Sequence, residues 1–226
     1  MKETKPFVFI ANKGFARGEN DRGGIQFLLR AYAEEFTKDE PVLLKIKINT
    51  VYNPPNWNLD NEIKKLNLNP TNHPKCEIML EHLDTEQLRK FYCSGDVFVS
   101  TPMAEGFGLP GLEAMACGLP NIQTNFGGQM EYLNEKNSWL IDEGAMVDVP
   151  DDIQYEEVKW FKPSISAIRK TLRDVYEKFK LDDNNQIDTE LYDVKQSMKK
   201  EALKTAKKFT WTNTGKIATK CLKELE

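Results

Sequence analysis

A chain of 226 residues, 40% hydrophobic and 29% charged, is long for one α/β domain and short for two, with the composition of a soluble globular protein that can bury a core. A formal net charge of −4 argues against a nucleic-acid partner. Cys76, Cys93, Cys117 and Cys221 form no CxxC pair, which leaves neither a zinc site nor a disulfide framework as the expectation.

The elements then follow in chain order. Phe7 to Ala11 is a short apolar run of the kind that forms a strand buried on both faces, and it follows an amino terminus too short in apolar residues for a signal peptide. A glycine- and charge-rich loop spans Asn12 to Gly24. Ile25, Leu28, Leu29, Tyr32, Ala33 and Phe36 recur at helical spacing, so a helix is predicted to begin near Gly24. Val42 to Thr50 reads as a strand, Asn53 to Trp57 as a turn, Asp60 to Leu68 as a short helix and Glu77 to Leu80 as a strand. Asp84 with Gln87 makes a capping box that opens a helix, and Asp96 to Ser100 is a further apolar strand. A helix over Gly111 to Cys117 is stopped by Gly118 and Pro120, and strands follow at Asn121 to Gln123 and Ser138 to Ile141.

Strand and helix alternate through residues 1–142, which predicts an α/β fold: one Rossmann-like domain with a parallel sheet flanked by helices. Residues 143–226 continue that domain as an acidic surface loop (Glu143 to Pro163) and carboxyl-terminal helices. These are predicted at Ile165 to Lys180, Asp193 to Phe209 and Thr214 to Leu225, with a polar linker at Leu181 to Thr189. Lys195, Lys199, Lys200, Lys204, Lys207 and Lys208 read as a solvated helix face, and two of the cysteines as buried. No apolar stretch approaches a membrane span, so the expected location is cytoplasmic.

The segment from Ser100 to Pro120 carries the chemistry. It leaves the carboxyl end of a predicted strand, where open α/β sheets bind ligands, and runs through Gly106-Phe107-Gly108-Leu109-Pro110-Gly111 into a helix. Glycines allow close backbone approach, and a helix start offers free N–H groups to an anion. Glu105 and Glu113, with seven residues between them, supply acceptors suited to sugar hydroxyls. Neither histidine, His73 or His82, has a partner at ligand or triad spacing, no GxxxxGK[ST] is present, and the glycines at 14, 18, 23 and 24 do not make GxGxxG.

The run from Glu105 through GFGL to Glu113, followed by AMACGLP, resembles the signature of the retaining family 4 (group 1) glycosyltransferases of the two-Rossmann-domain, GT-B type. Gln87 to Val99, Thr124 to Tyr132 and Phe209-Thr210-Trp211 extend the resemblance over nearly the whole chain. It implies the carboxyl-terminal, donor-binding half of such an enzyme, transferring a hexose from a nucleotide sugar, UDP- or GDP-linked, without a metal or other cofactor. It implies that Glu113 binds the ribose, that Glu105 contacts the donor sugar as the catalytic carboxylate, and that the backbone of Gly106, Phe107, Gly108 and Leu109 lines the sugar and pyrophosphate. The family neutralises the diphosphate with an arginine and a lysine. Here Lys13 falls near the first position and Arg22 at the second, the loop between them is longer, and Arg17 is a further candidate.

The same resemblance implies an amino-terminal acceptor domain or partner subunit outside this chain, with the last helix crossing toward it. The site face is expected to drive self-association when that partner is absent. The alternative reading is a non-catalytic nucleotide-sugar-binding or regulatory module of GT-B-like fold. A sugar-nucleotide epimerase of similar fold is a third reading.

Overall fold

The computed structural model describes residues 5–51, 53–68, 72–150, 158–180 and 186–224. Its centre is a six-stranded sheet of β1 (Phe7–Gly14), β2 (Val42–Asn49), β3 (Lys75–Met79), β4 (Val97–Ser100), β5 (Asn121–Thr124) and β6 (Ser138–Ile141). All the pairings are parallel, in the order β3-β2-β1-β4-β5-β6. The chain moves outward from β1 to β3, then returns to the middle at β4 and moves outward the other way. At that reversal the chain leaves β1 for a helix on one face and β4 for a helix on the other, which places a crevice at their carboxyl ends.

Helices α1 (Ile25–Glu35) and α5 (Ile165–Phe179) cover one face, and α3 (Thr85–Cys93) and α4 (Leu109–Ala116) the other. Side-chain alternation along β1 assigns the faces. Phe7, Phe9 and Ala11 pack with Leu28, Tyr32, Leu172 and Tyr176, whereas Val8 and Ile10 pack with Phe91, Tyr92 and Ala114. The predicted capping box is present: Asp84 Oδ1 accepts from the Gln87 N–H at 2.8 Å, and the Asp84 N–H donates to Gln87 Oε1 at 2.9 Å. Arg173 of α5 clamps α1, donating from Nε to Glu35 at 2.9 Å with its guanidinium 4.4 Å from the Phe36 ring centre.

Several expectations need correction. Glu143 to Pro163 is not one irregular loop: β7 (Gly144–Asp148) and β8 (Lys159–Pro163) pair antiparallel, with part of the stretch between them outside the described residues. Trp160 is buried, and the Phe161 N–H donates to the Met103 carbonyl at 2.9 Å, so the hairpin is anchored beside the β4 exit. α4 starts two residues before the predicted position, because Pro110 fits the first turn, where no N–H partner is needed.

A short helix, α2 (Leu59–Lys65), follows β2, and α6 (Thr189–Ala206) and α7 (Trp211–Lys223) close the chain. α6 begins four residues before Asp193, capped by the Asp188 carboxylate, and the rest of the expected linker lies largely outside the described residues. α7 begins at Trp211, capped by Thr210. The cysteines are free thiols, but none is buried: Cys117 is half-buried and the others are exposed. Nor is the lysine run uniformly solvated, since Lys195 Nζ pairs with Asp96 at 2.8 Å and lies over the Phe7 ring.

Candidate functional site

The crevice is built from the ends of β1 and β4 and the loops that follow them. Because β1 alternates, Asn12 and Lys13 leave it on opposite faces, Lys13 meeting Glu105 directly and Asn12 reaching Glu113 only through Tyr92. Lys13 Nζ pairs with Glu105 Oε2, while Glu105 Oε1 accepts from the Gly106 N–H at 3.0 Å. Burial pushes the Glu105 carboxyl upward, but Lys13 first and then Arg22 outweigh it and hold it below the usual range. On the other face Asn12 Nδ2 donates to the Tyr92 hydroxyl at 2.8 Å, which donates to Glu113 Oε2 at 2.9 Å.

The loop that carries Arg17 and Arg22 is organised by a residue the sequence did not single out. Asp21 is buried, and its carboxylate accepts from the N–H groups of Ala16 at 2.7 Å, Arg17 at 3.1 Å and Gly23 at 2.7 Å. The only sequence hint was an acid among glycines. The loop is then stitched to the β4 exit: the Met103 N–H donates to the Arg22 carbonyl, and the Thr101 hydroxyl to the Gly24 carbonyl, both at 2.8 Å. Gly24 has φ +82°, and a Cβ there would collide with the Thr101 carbonyl.

Lys13, Arg17, Arg22, Glu105 and Gly106 thus line one cleft of about 880 Å³, walled on one side by Trp160 of β8 and on another by Asn49. The remaining expected site residues lie elsewhere. Phe107 turns its ring away, against Tyr132 at 5.5 Å and Phe209 at 5.8 Å between ring centres. Gly108 caps α4 in the left-handed region (φ +79°), its carbonyl accepting from the Tyr132 hydroxyl at 2.7 Å. The Leu109 side chain is exposed. Glu113 is exposed on the Asn12 face.

Gly127 and Gly128 are a further missed element. The Gly128 N–H donates to the Glu105 carbonyl at 3.0 Å, and a Cβ on Gly128 would collide with the Gly106 carbonyl. Their pairing with the Glu105 loop is a long-range contact that the glycine-containing turn in the sequence only hinted at.

Chemically, the cleft offers cations beside an ionised carboxylate, which suits a ligand that is part anion and part polyol. Among the described residues no group of three or more His, Cys, Asp or Glu is placed to hold a metal, and no helix is long and apolar enough to cross a membrane.

Residues 24–157 match the family described as Glycosyl transferases group 1. The D-inositol 3-phosphate glycosyltransferase of Paenarthrobacter aurescens is 34% identical over 79 residues, covering 31% of this chain and 19% of that protein. An uncharacterized glycosyltransferase of Methanocaldococcus jannaschii is 30% identical over 128 residues, covering 54% of this chain and 31% of the relative. The matches therefore span less than a third of the length of either curated relative. Among solved structures, Anabaena HepE in complex with UDP-glucose superposes with a TM-score of 0.63 at 16% identity, over 97% of this chain and 49% of that one. At that identity the likeness is one of fold.

Proposed function

This chain belongs to the group 1 glycosyl transferases, and from that membership we propose that it binds a nucleoside-diphosphate sugar along the crevice between β1 and β4. It does so as the donor-binding part of a retaining, metal-independent hexosyltransferase. The observation that supports this most is the convergence of Lys13, Arg17, Arg22 and Glu105 on one cleft at the sheet's reversal point, with Glu113 held at the same edge on the other face.

In this reading Lys13, Arg17 and Arg22 neutralise the diphosphate. Their positive charge stabilises the leaving group as the sugar–phosphate bond breaks, because charge builds on the phosphate oxygen in the transition state. Glu105, kept ionised by Lys13, accepts hydrogen bonds from the donor sugar. The backbone from Gly106 to Leu109 and the start of α4 face the sugar and pyrophosphate, and Glu113 takes the ribose hydroxyls. Binding requires Lys13 to exchange its Glu105 partner, wholly or in part, for phosphate oxygen.

The acceptor is held by a domain or subunit beyond these 226 residues, in keeping with the small share of the relatives' length that is matched. A structure carrying UDP-glucose on the same fold makes a UDP-linked donor the first to try. The test is calorimetric titration with UDP-, GDP- and ADP-sugars, with and without EDTA, on the chain and on Glu113→Ala. Saturable binding of one donor, insensitive to EDTA and weakened at least ~10-fold in the variant, is expected for loss of a charged hydrogen-bond acceptor. A folded chain that binds none of them overturns the reading.

A further inference from the structure

We infer that Tyr92 is a positioning residue for the nucleotide, acting through Glu113 and itself held by Asn12. The inference rests on the donor-site reading above and adds to it a residue of α3 that the site signature does not include. The Tyr92 ring is 2% exposed, wedged among Val8, Ile10 and Ala114, and meets Phe98 edge-on at 6.1 Å, so the ring does not swing. What remains free is the rotation of its hydroxyl proton. Asn12 Nδ2 already donates to that oxygen, and the phenol has a single proton, so the proton is directed to Glu113 Oε2. Burial first and the Glu113 charge second push the phenol well above its ordinary range, so it remains a donor throughout neutral pH.

The consequence is directional. Glu113 stands exposed on the first turns of a helix, where an unrestrained carboxylate would sample several rotamers. With Oε2 tied to Tyr92, the carboxylate plane is fixed by three elements, β1, α3 and α4, and Oε1 is left to accept from a ligand hydroxyl. A vicinal diol is the group that gains most from a preset acceptor, so the effect belongs on the ribose and not on the phosphates or the base.

The experiment compares dissociation constants of UDP, GDP and ADP with those of their 2′-deoxy counterparts, on the chain and on Glu113→Gln, Tyr92→Phe and Asn12→Ala, beside thermal melts. The wild-type chain is expected to prefer the ribonucleotide by ~10-fold or more. Glu113→Gln should bring that ratio close to one, and Tyr92→Phe should reduce it at least ~3-fold, with Asn12→Ala in between. A merely structural tyrosine would lower the melting temperature and leave the ratio at its wild-type value.

A wild-type ratio in Tyr92→Phe together with a collapsed ratio in Glu113→Gln overturns this inference alone. An unchanged ratio in Glu113→Gln, or no binding of any diphosphate, overturns the donor-site reading and this inference with it. If Tyr92→Phe does not fold, Asn12→Ala decides by the same ratio: a fall supports the inference and a wild-type value overturns it.

Discussion

Two carboxylates show how the same side-chain chemistry serves different ends in the lining of one cleft. Asp21 spends its oxygens on three backbone N–H groups, and Glu105 divides its own between Lys13 and the Gly106 N–H. Removing the first unties the loop that carries Arg17 and Arg22: Asp21→Ala is expected to lower stability by about 1–3 kcal/mol, read from urea unfolding, because three part-buried N–H groups lose a buried carboxylate acceptor. Removing the charge of the second acts on the ligand. Glu105→Gln frees Lys13 and deletes an anion beside the proposed phosphate site, so affinity for the bare nucleoside diphosphate should rise ~3-fold or more by calorimetry. Weaker diphosphate binding in that variant would place the phosphates away from Lys13.

Glu105 also has a pH signature. Its folded carboxyl is held below the usual range, so its stabilisation is fully present above the unfolded value near ~4.3 and is lost as pH falls through the folded value. The melting temperature of the wild type should therefore fall more steeply below pH ~4 than that of Glu105→Gln. Parallel acid limbs in the two proteins would count against the ion pair.

At the scale of elements, loop meets loop through glycine. Gly128 presses on the Gly106 carbonyl, whereas a side chain on Gly106 would project into open space. Gly128→Ala should therefore cost more than ~2 kcal/mol of stability and shift the Glu105 loop, while Gly106→Ala should fold with a melting temperature near wild type. Equal destabilisation by the two substitutions would show that this packing is not tight. The contrast explains how far the site was legible: the glycine loop and its glutamates are contiguous in sequence, but the glycine pair and Asp21 act through contacts that a local pattern does not carry. Phe107 is a similar case: the motif spoke only for its backbone, and Tyr132 and Phe209, brought in from later in the chain, claim its ring for the core.

Across the whole molecule, α7 stands apart. None of its residues is buried, and Trp211, Ile217 and Leu222 are exposed, the tryptophan at 84%. A chain ending at Thr210 should keep its melting temperature within about 2 °C, since no buried residue is lost. A large drop would mean that α7 packs in solution on something its own fold does not supply. α6 is the opposite case: Met198 and Ala202 are buried, and Lys195 reaches Asp96 beneath β1.

The order of strands and helices as far as Ile141, the capping box and the two glutamates around the glycine loop were determined by the sequence alone, because each rests on spacing within one turn or one strand. The family could be read there too, since its signature is a local run. Tertiary structure alone decided which face each end of β1 serves, that Lys13 joins Glu105 while Asn12 reaches Glu113 through Tyr92, and that β7 and β8 pair. Those outcomes depend on residues far apart in the chain competing for the same partners. Short strands such as Gly144–Asp148 and Lys159–Pro163 carry too little alternation to declare themselves until the sheet gives them a neighbour.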